Sequence, residues 1–149
     1  MQKLKVHHIL AISAVISLMA MGACSKLCNS GYEGSRCNEL TTTKFLGTWS
    51  AIDTPGNLAY TDTISQGGVL GDITLSTSFN SHHFNHIINA SVQTDVVTIP
   101  YQQPDSGKDF VSGTGTISAG HNSISFSYQI VNAKDSPAIT TNYTGTWKR

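Results

Sequence analysis

Apolar and polar side chains alternate along most of the chain from Lys44 onward. In the stretch Ser123–Asn132, every second side chain from Ile124 to Ile130 is apolar and the residues between them are polar. Such alternation is the pattern of a half-buried β-strand, and short polar turns interrupt it repeatedly. The pattern predicts an all-β domain of eight strands: Lys44–Asp53, Leu58–Ser65, Asp72–Phe79, Asn85–Gln93, Val96–Gln102, Phe110–Ser118, Ser123–Asn132 and Ala138–Lys148.

Short connections place neighbouring strands side by side, which predicts an antiparallel up-and-down meander. The first and last strands carry matching motifs, Phe45-x-Gly47-x-Trp49 and Tyr143-x-Gly145-x-Trp147. If these strands pair, the meander closes into a barrel and loses its two exposed edges. The expected opposed pairs are Phe45 with Trp147, Gly47 with Gly145, and Trp49 with Tyr143. An open sandwich with two aromatic edge strands is the alternative.

Two further patterns concern the inside of the sheet. Val97, Ile99 and Tyr101 are spaced to share one face. Gly113 and Gly115 fall on the apolar face of their strand, which indicates either a sharp bend or a ring packed on the backbone.

The composition excludes several classes of partner. Charged residues make up 12% of the chain, and seven Lys and Arg stand against nine Asp and Glu after residue 23. A weakly acidic, unclustered charge argues against nucleic-acid binding and against a basic membrane-surface patch.

The first 23 residues have the organisation of a secretory signal. Lys3 and Lys5 precede an apolar run from Ile9 to Ala23, which is short for a membrane span. The small residues before Cys24 resemble the lipobox of bacterial lipoproteins, with Met21 in place of the usual Leu. The resemblance implies that Cys24 carries acyl chains such as palmitate and anchors the mature protein to a membrane, most often the outer membrane. An ordinary cleaved signal with a chance cysteine is the alternative.

Lipidation of Cys24 would leave Cys28 and Cys37 to pair, which accounts for all three cysteines. The segment Cys28–Cys37 resembles the last loop of an EGF-like module, Cys-x-x-Gly-Tyr-x-Gly-x-x-Cys. The calcium-binding residues of that module are missing. We therefore expect a signal peptide at 1–23, a disulfide-stapled stalk at 24–43 and a β domain at 44–149. The stalk is either a spacer or a receptor-binding knuckle.

The start of the β domain resembles that of lipocalin-like barrels, through Gly47-Thr48-Trp49. The resemblance implies that a basic residue near the C-terminus, Lys148 or Arg149, lies over Trp49. The chain as a whole resembles small envelope lipoproteins of Bacteroidetes-type bacteria, which also carry an Ile-Pro-x-Gln segment, here Ile99–Gln102.

Candidate chemistry is sparse. His82, His83 and His86 form the one histidine cluster of the β domain, and imidazole is a good ligand for zinc, copper or nickel. We expect no carboxylate or thiol nearby to complete a closed site, so a solvated loop is the first expectation and a metal site the alternative. Asp105-Ser106-Gly107 is interpreted as a turn. Asp62-Thr63-Ile64 resembles a Bacteroides-type O-glycosylation acceptor, with Thr63 as the modified residue.

No convergent acid, base or nucleophile set is visible, so we expect a non-enzymatic protein without a cofactor. The first functional expectation is an envelope lipoprotein with a filled barrel that acts as a structural or protein-interaction module. The alternative is a lipocalin-like barrel that binds a small apolar ligand. The residues expected to line the interior are Trp49, Phe110, Phe126, Tyr128 and Trp147.

Overall fold

The computed structural model describes residues 27–106 and 108–149. The predicted signal peptide and the predicted lipid-attachment residue Cys24 lie outside these ranges. Within the ranges, no helix has the length and apolar character needed to cross a bilayer.

The β domain is a closed eight-stranded antiparallel barrel. The strands were predicted from the alternation and the closure from the matching motifs of the first and last strands, so the open-sandwich alternative is wrong. A two-stranded hairpin, β1 (Tyr32–Glu33) and β2 (Glu39–Leu40), precedes it. The barrel strands are β3 (Gly47–Thr54), β4 (Leu58–Gln66), β5 (Asp72–Leu75), β6 (Ile88–Gln93), β7 (Val96–Gln102), β8 (Asp109–Ile117), β9 (Ser123–Asn132) and β10 (Ile139–Lys148). Each strand pairs with its neighbours in sequence, and β10 pairs with β3 to close the barrel.

The barrel has two different ends. At the stalk end lie the turns after β4, β6 and β8, together with the hairpin β1–β2. At the loop end lie the turn after β3 and the longer connections after β5, β7 and β9. β9 and β10 have ten residues each, so the tilted wall separates the two ends by roughly 25 Å.

The register of the closing strands differs from the prediction. Trp147 pairs with Ala51 instead of Phe45, and Gly145 pairs with Asp53 instead of Gly47. Trp49 and Tyr143 are likewise not opposed. Strands in a closed barrel are staggered along one another, and this stagger moves the pairing six residues along β3. Phe45 lies in a turn before β3 begins, so it was never available for pairing.

Two predicted strands are shorter than expected at the loop end. β5 stops at Leu75 instead of Phe79, and β6 starts at Ile88 instead of Asn85. The intervening residues 76–87, which we call the mouth segment, include a short 3₁₀ segment at Phe79–Ser81. The Ser76 N–H donates to the Asp62 side chain instead of to a neighbouring strand, and β5 stops at this point. Asn80 and Ser81 further along have a positive φ, which lies outside strand geometry.

Aromatic rings fill the interior between the two ends. The ring centroid of Phe79 lies 4.6 Å from that of Tyr128 and 5.8 Å from that of Trp147. Phe126 lies 4.6 Å from Trp147. A Cβ on Gly115 would come within 2.6 Å of the Phe126 ring, so this glycine provides the space for the ring. The prediction of a ring packed on the backbone of this strand is confirmed.

The stalk end is closed by Phe45, Trp49 and Arg149. Both rings are fully buried, and the Trp49 indole donates a hydrogen bond of 2.8 Å to the Phe45 carbonyl. The Arg149 guanidinium lies 4.4 Å from the centroid of the Trp49 ring. It also donates to the backbone carbonyls of Lys44 and Leu46. A C-terminal basic residue therefore covers Trp49 as predicted, and it is Arg149.

Two rings predicted to point inward lie on the outer wall. Phe110 is the neighbour of the buried Val111 and therefore faces the opposite way. It stacks on Tyr101, with centroids 4.8 Å apart. Tyr101 is displaced from the inner face of Val97 and Ile99 because the pairing of β7 shifts after Ile99. Phe110 is therefore not a lining residue of the interior.

The predicted disulfide between Cys28 and Cys37 is present, with 5.2 Å between the two Cα atoms. The knuckle that it closes is docked on the stalk end. Lys44 Nζ lies 2.6 Å from a carboxylate oxygen of Glu33 in the knuckle and 2.6 Å from one of Asp95 in the turn after β6. Burial would lower the pKa of Lys44, but the hydrogen bonds to Asp95 and Glu33 outweigh it and leave the pKa raised.

Candidate functional site at the loop end of the barrel

The mouth segment is fixed to the barrel wall by a buried carboxylate, Asp53. One oxygen of Asp53 accepts a hydrogen bond of 2.7 Å from the Tyr60 hydroxyl and another from the Tyr128 hydroxyl. The Asn80 side-chain amide donates to the same oxygen over 3.2 Å. Asp53 is fully buried. The network therefore joins β3, β4 and β9 to the tip of the mouth segment.

The two tyrosines of this network stay protonated over the ordinary pH range. Burial, followed by the hydrogen bond to Asp53, raises the pKa of Tyr60. Burial, followed by the neighbouring Tyr60 and Asp53, raises the pKa of Tyr128. Both hydroxyls therefore donate hydrogen bonds to the Asp53 carboxylate, which solvent does not reach. The role of this network is structural.

A second buried carboxylate, Asp62, holds the start of the mouth segment. Its Oδ1 accepts backbone hydrogen bonds from Thr63 over 2.6 Å and from Ser76 over 2.9 Å. Burial raises the pKa of Asp62, against the opposing effect of the Ser76 hydrogen bonds. The glycosylation candidate Thr63 itself lies exposed on the outer face of β4, so modification at Thr63 stays a prediction.

Three side chains converge where the mouth segment meets the connection between β7 and β8. His82 Nε2 lies 3.3 Å from Asp105 Oδ2 and 2.9 Å from Asp109 Oδ2. One ligand atom of each residue lies within 4.8 Å of the others. Both aspartates are buried, whereas the His82 side chain is 37% exposed. We call these three residues the His82 cluster.

The backbone around the His82 cluster is braced by hydrogen bonds. The Asn85 N–H donates to Asp105 Oδ1 over 2.7 Å, which orients the carboxylate with Oδ2 toward His82. The His86 N–H donates to the Pro104 carbonyl over 3.1 Å and joins the two connections. The ring of His82 packs on that of Phe84, with centroids 4.4 Å apart.

A small cavity of about 220 Å³ opens beside the cluster. His82 and Asp109 form part of its wall. The remaining lining residues are Asn80, Ile130, Asn132, Asp135, Ile139, Thr141 and Tyr143. A larger groove of about 700 Å³ lies elsewhere, on the wall formed by β3, β9 and β10. It is lined mainly by residues that alternate with the core, among them Ile52, Thr144 and Lys148.

The chain matches no protein-family model, no curated protein and no solved structure.

The histidine candidates separate in the structure. His82 belongs to the cluster, whereas His83 and His86 are exposed and do not contribute to it. The expectation that no carboxylate lies nearby was wrong, because Asp105 and Asp109 approach from a different connection. Asp105 does lie in a turn, as interpreted from Asp105-Ser106-Gly107. The missed signal was topological: in an up-and-down meander, the connections after β5 and β7 share one end of the barrel.

The interior candidates Trp49, Phe126, Tyr128 and Trp147 are all buried in the core, and they pack against one another and against Phe79 and Phe45 instead of surrounding a cavity. Phe79, on the 3₁₀ segment, was assigned to a strand, so its role as a plug of the barrel mouth was missed.

Proposed function

We propose that this protein is a lipid-anchored lipoprotein of the cell envelope whose barrel acts as a structural or protein-interaction module and not as a carrier of a small apolar ligand. The observation that supports an interaction module over a ligand carrier is the filled interior: Phe79 enters from the mouth and packs on Tyr128 and Trp147. Sites for drug-sized ligands have volumes of about 300–1,000 Å³. The cavity at the loop end falls below this range. The groove of about 700 Å³ is lined mainly by outward-facing residues of the wall, so it is not an interior pocket.

The lipid anchor is inferred from the sequence before Cys28. Because the knuckle is docked on the barrel, such an anchor would also set the orientation of the barrel relative to the membrane. Cys24 precedes Cys28 by four residues, which span roughly 14 Å at most. The ion pairs of Lys44 hold the knuckle to the stalk end of the barrel. A lipid on Cys24 would therefore keep the stalk end beside the membrane and direct the loop end away from it, where envelope partners could reach it.

Membrane attachment is tested with Cys24→Ser in the full chain. We expect the variant to move from the membrane fraction to the soluble fraction, because acylation needs the thiol. Cys28→Ser is the matched control: it replaces a cysteine that is held in the disulfide with Cys37 and should leave the protein at the membrane. Equal membrane retention of the wild type and Cys24→Ser would refute the anchor.

The filled barrel is tested by titrating the Cys24→Ser chain with the amphipathic fluorophore 1-anilinonaphthalene-8-sulfonate, whose aromatic rings enter apolar cavities. We expect no saturable one-to-one binding and no change in the fluorescence of the buried Trp147. Stoichiometric binding that quenches tryptophan emission would favour the lipocalin-like alternative over the interaction module.

A further inference from the structure

We propose that His82, Asp105 and Asp109 form a binding site for one divalent transition-metal ion at the loop end of the barrel. The inference rests on the geometry of this cluster and does not depend on the lipid anchor or on what the barrel contacts.

The distances between the three side chains suit a shared ion. Zinc binds imidazole nitrogen and carboxylate oxygen at about 2.0–2.2 Å, which places neighbouring ligand atoms about 3–3.5 Å apart. His82 Nε2 lies 2.9 Å from Asp109 Oδ2 and 3.3 Å from Asp105 Oδ2, and one ligand atom of each residue lies within 4.8 Å of the others. These distances match the spacing of ligand atoms that share one ion.

The negative charge of the two aspartates also favours binding of a cation. Asp105 and Asp109 are both buried, and burial of carboxylates is costly unless they are paired. Within residues 27–106 and 108–149, His82 is the only basic side chain that pairs with either of them. One imidazolium would leave a net negative charge, whereas a divalent ion with neutral His82 balances both carboxylates.

The surroundings match those of a built site. The Asn85 N–H holds Asp105 Oδ1 over 2.7 Å, in the manner of an outer-shell hydrogen bond that orients a ligand. Asp109 is the first residue of β8, and its backbone pairs with Asn132 of β9. Two of the three ligands are therefore held in place before any ion binds.

The type and coordination of the ion follow from the ligand set. One imidazole with two carboxylates favours Zn²⁺, Mn²⁺, Fe²⁺ or Co²⁺ over ions that need thiolates. Three protein ligands leave a coordination position for water or for a small ligand. The cavity of about 220 Å³ bordered by His82 and Asp109 provides room for that molecule.

The rival explanation is an ion pair in which a protonated His82 alone balances the aspartates. The experiment is calorimetric titration of the metal-free full chain carrying Cys24→Ser with Zn²⁺ at neutral pH, together with its melting temperature. The metal site predicts one Zn²⁺ per chain and a melting temperature that rises by several degrees. An ion-pair cluster predicts neither.

Variants locate the site. His82→Ala and Asp109→Asn should each weaken Zn²⁺ binding at least tenfold, whereas the exposed histidines allow matched controls, His83→Ala and His86→Ala, that should bind as the wild type does. Asp109→Asn keeps the size of the side chain, and its melting temperature in a chelator shows that it is folded. The proposal is overturned if the wild type binds no Zn²⁺, or if His82→Ala and Asp109→Asn bind it as tightly as the wild type.

Discussion

Replacement of Phe79 by alanine tests whether packed rings inside the barrel hold the fold together. Phe79 is fully buried and contacts three other rings, those of Phe126, Tyr128 and Trp147. Its removal from this cluster leaves a void that the closed wall cannot easily fill. Truncation of a buried phenylalanine costs about 3–5 kcal/mol through lost transfer free energy and the residual cavity.

That cost is large for a domain of this size, because small domains are stable by only about 5–15 kcal/mol in total. With a urea m-value of about 2 kcal/mol/M, the midpoint of unfolding should fall by about 2 M. The assay is urea unfolding of the Cys24→Ser chain, followed by tryptophan fluorescence. Trp49 and Trp147 are both fully buried, so their emission reports the loss of the core.

The matched control is Phe110→Ala, which removes the same ring from the outer wall. Phe110 is only partly buried and stacks on the exposed Tyr101, so its truncation should cost about 1 kcal/mol. Equal costs for the two variants would show that Phe79 does not plug a packed interior, and the argument for a filled barrel would fail with it.

Two further predictions concern charged side chains. Lys44→Met should cost about 1–2 kcal/mol in urea unfolding, since it removes the hydrogen bonds to Glu33 and Asp95. Because the pKa of Lys44 is raised, the stabilisation by its charged form is present below pH 10.5 and is lost as the pH rises through the folded-state pKa. The difference in free energy of unfolding between wild type and Lys44→Met should therefore disappear in strong base. A difference that stays constant would contradict this assignment. Asp62 has a pKa raised above 3.8, so the folded state holds its proton more tightly, and wild-type stability should decrease as the pH rises from about 4 through that value. Asp62→Asn should flatten this slope in urea midpoints measured across the same range, and an unchanged slope would assign the effect to another group.

The strand content could be predicted from the sequence because alternation is a local signal. Ser123–Asn132 shows it without interruption, and β9 covers the same residues. The closure of β10 on β3 also followed, from the matched aromatic motifs. The register did not follow, because the stagger is set by closure of the whole ring of strands and no single pair of strands encodes it.

The candidate site was harder to predict because its parts are distant in sequence and its backbone is irregular. Asn80 and Ser81 adopt left-handed conformations that alternation cannot reveal. Asp105 and Asp109 reach His82 only because two connections meet at one end of the barrel. The outward orientation of Tyr101 was also hidden from the sequence. It results from a shift in the pairing of β7 with β8 after Ile99, which depends on how the two strands fit together.

Because Gly115 has no side chain, the residues that can stand at positions 115 and 126 depend on each other. The Phe126 ring occupies the volume in which a Cβ at position 115 would stand, at 2.6 Å. A methyl group there and a full benzyl group on β9 exclude each other. A smaller residue on β9 would free most of this volume, and the Val97 side chain, which would lie 2.9 Å from that methyl group, would have to shift as well. Homologous chains that carry a side chain at position 115 should therefore have lost the ring at position 126, and such a paired exchange is one route by which a solid barrel could become hollow.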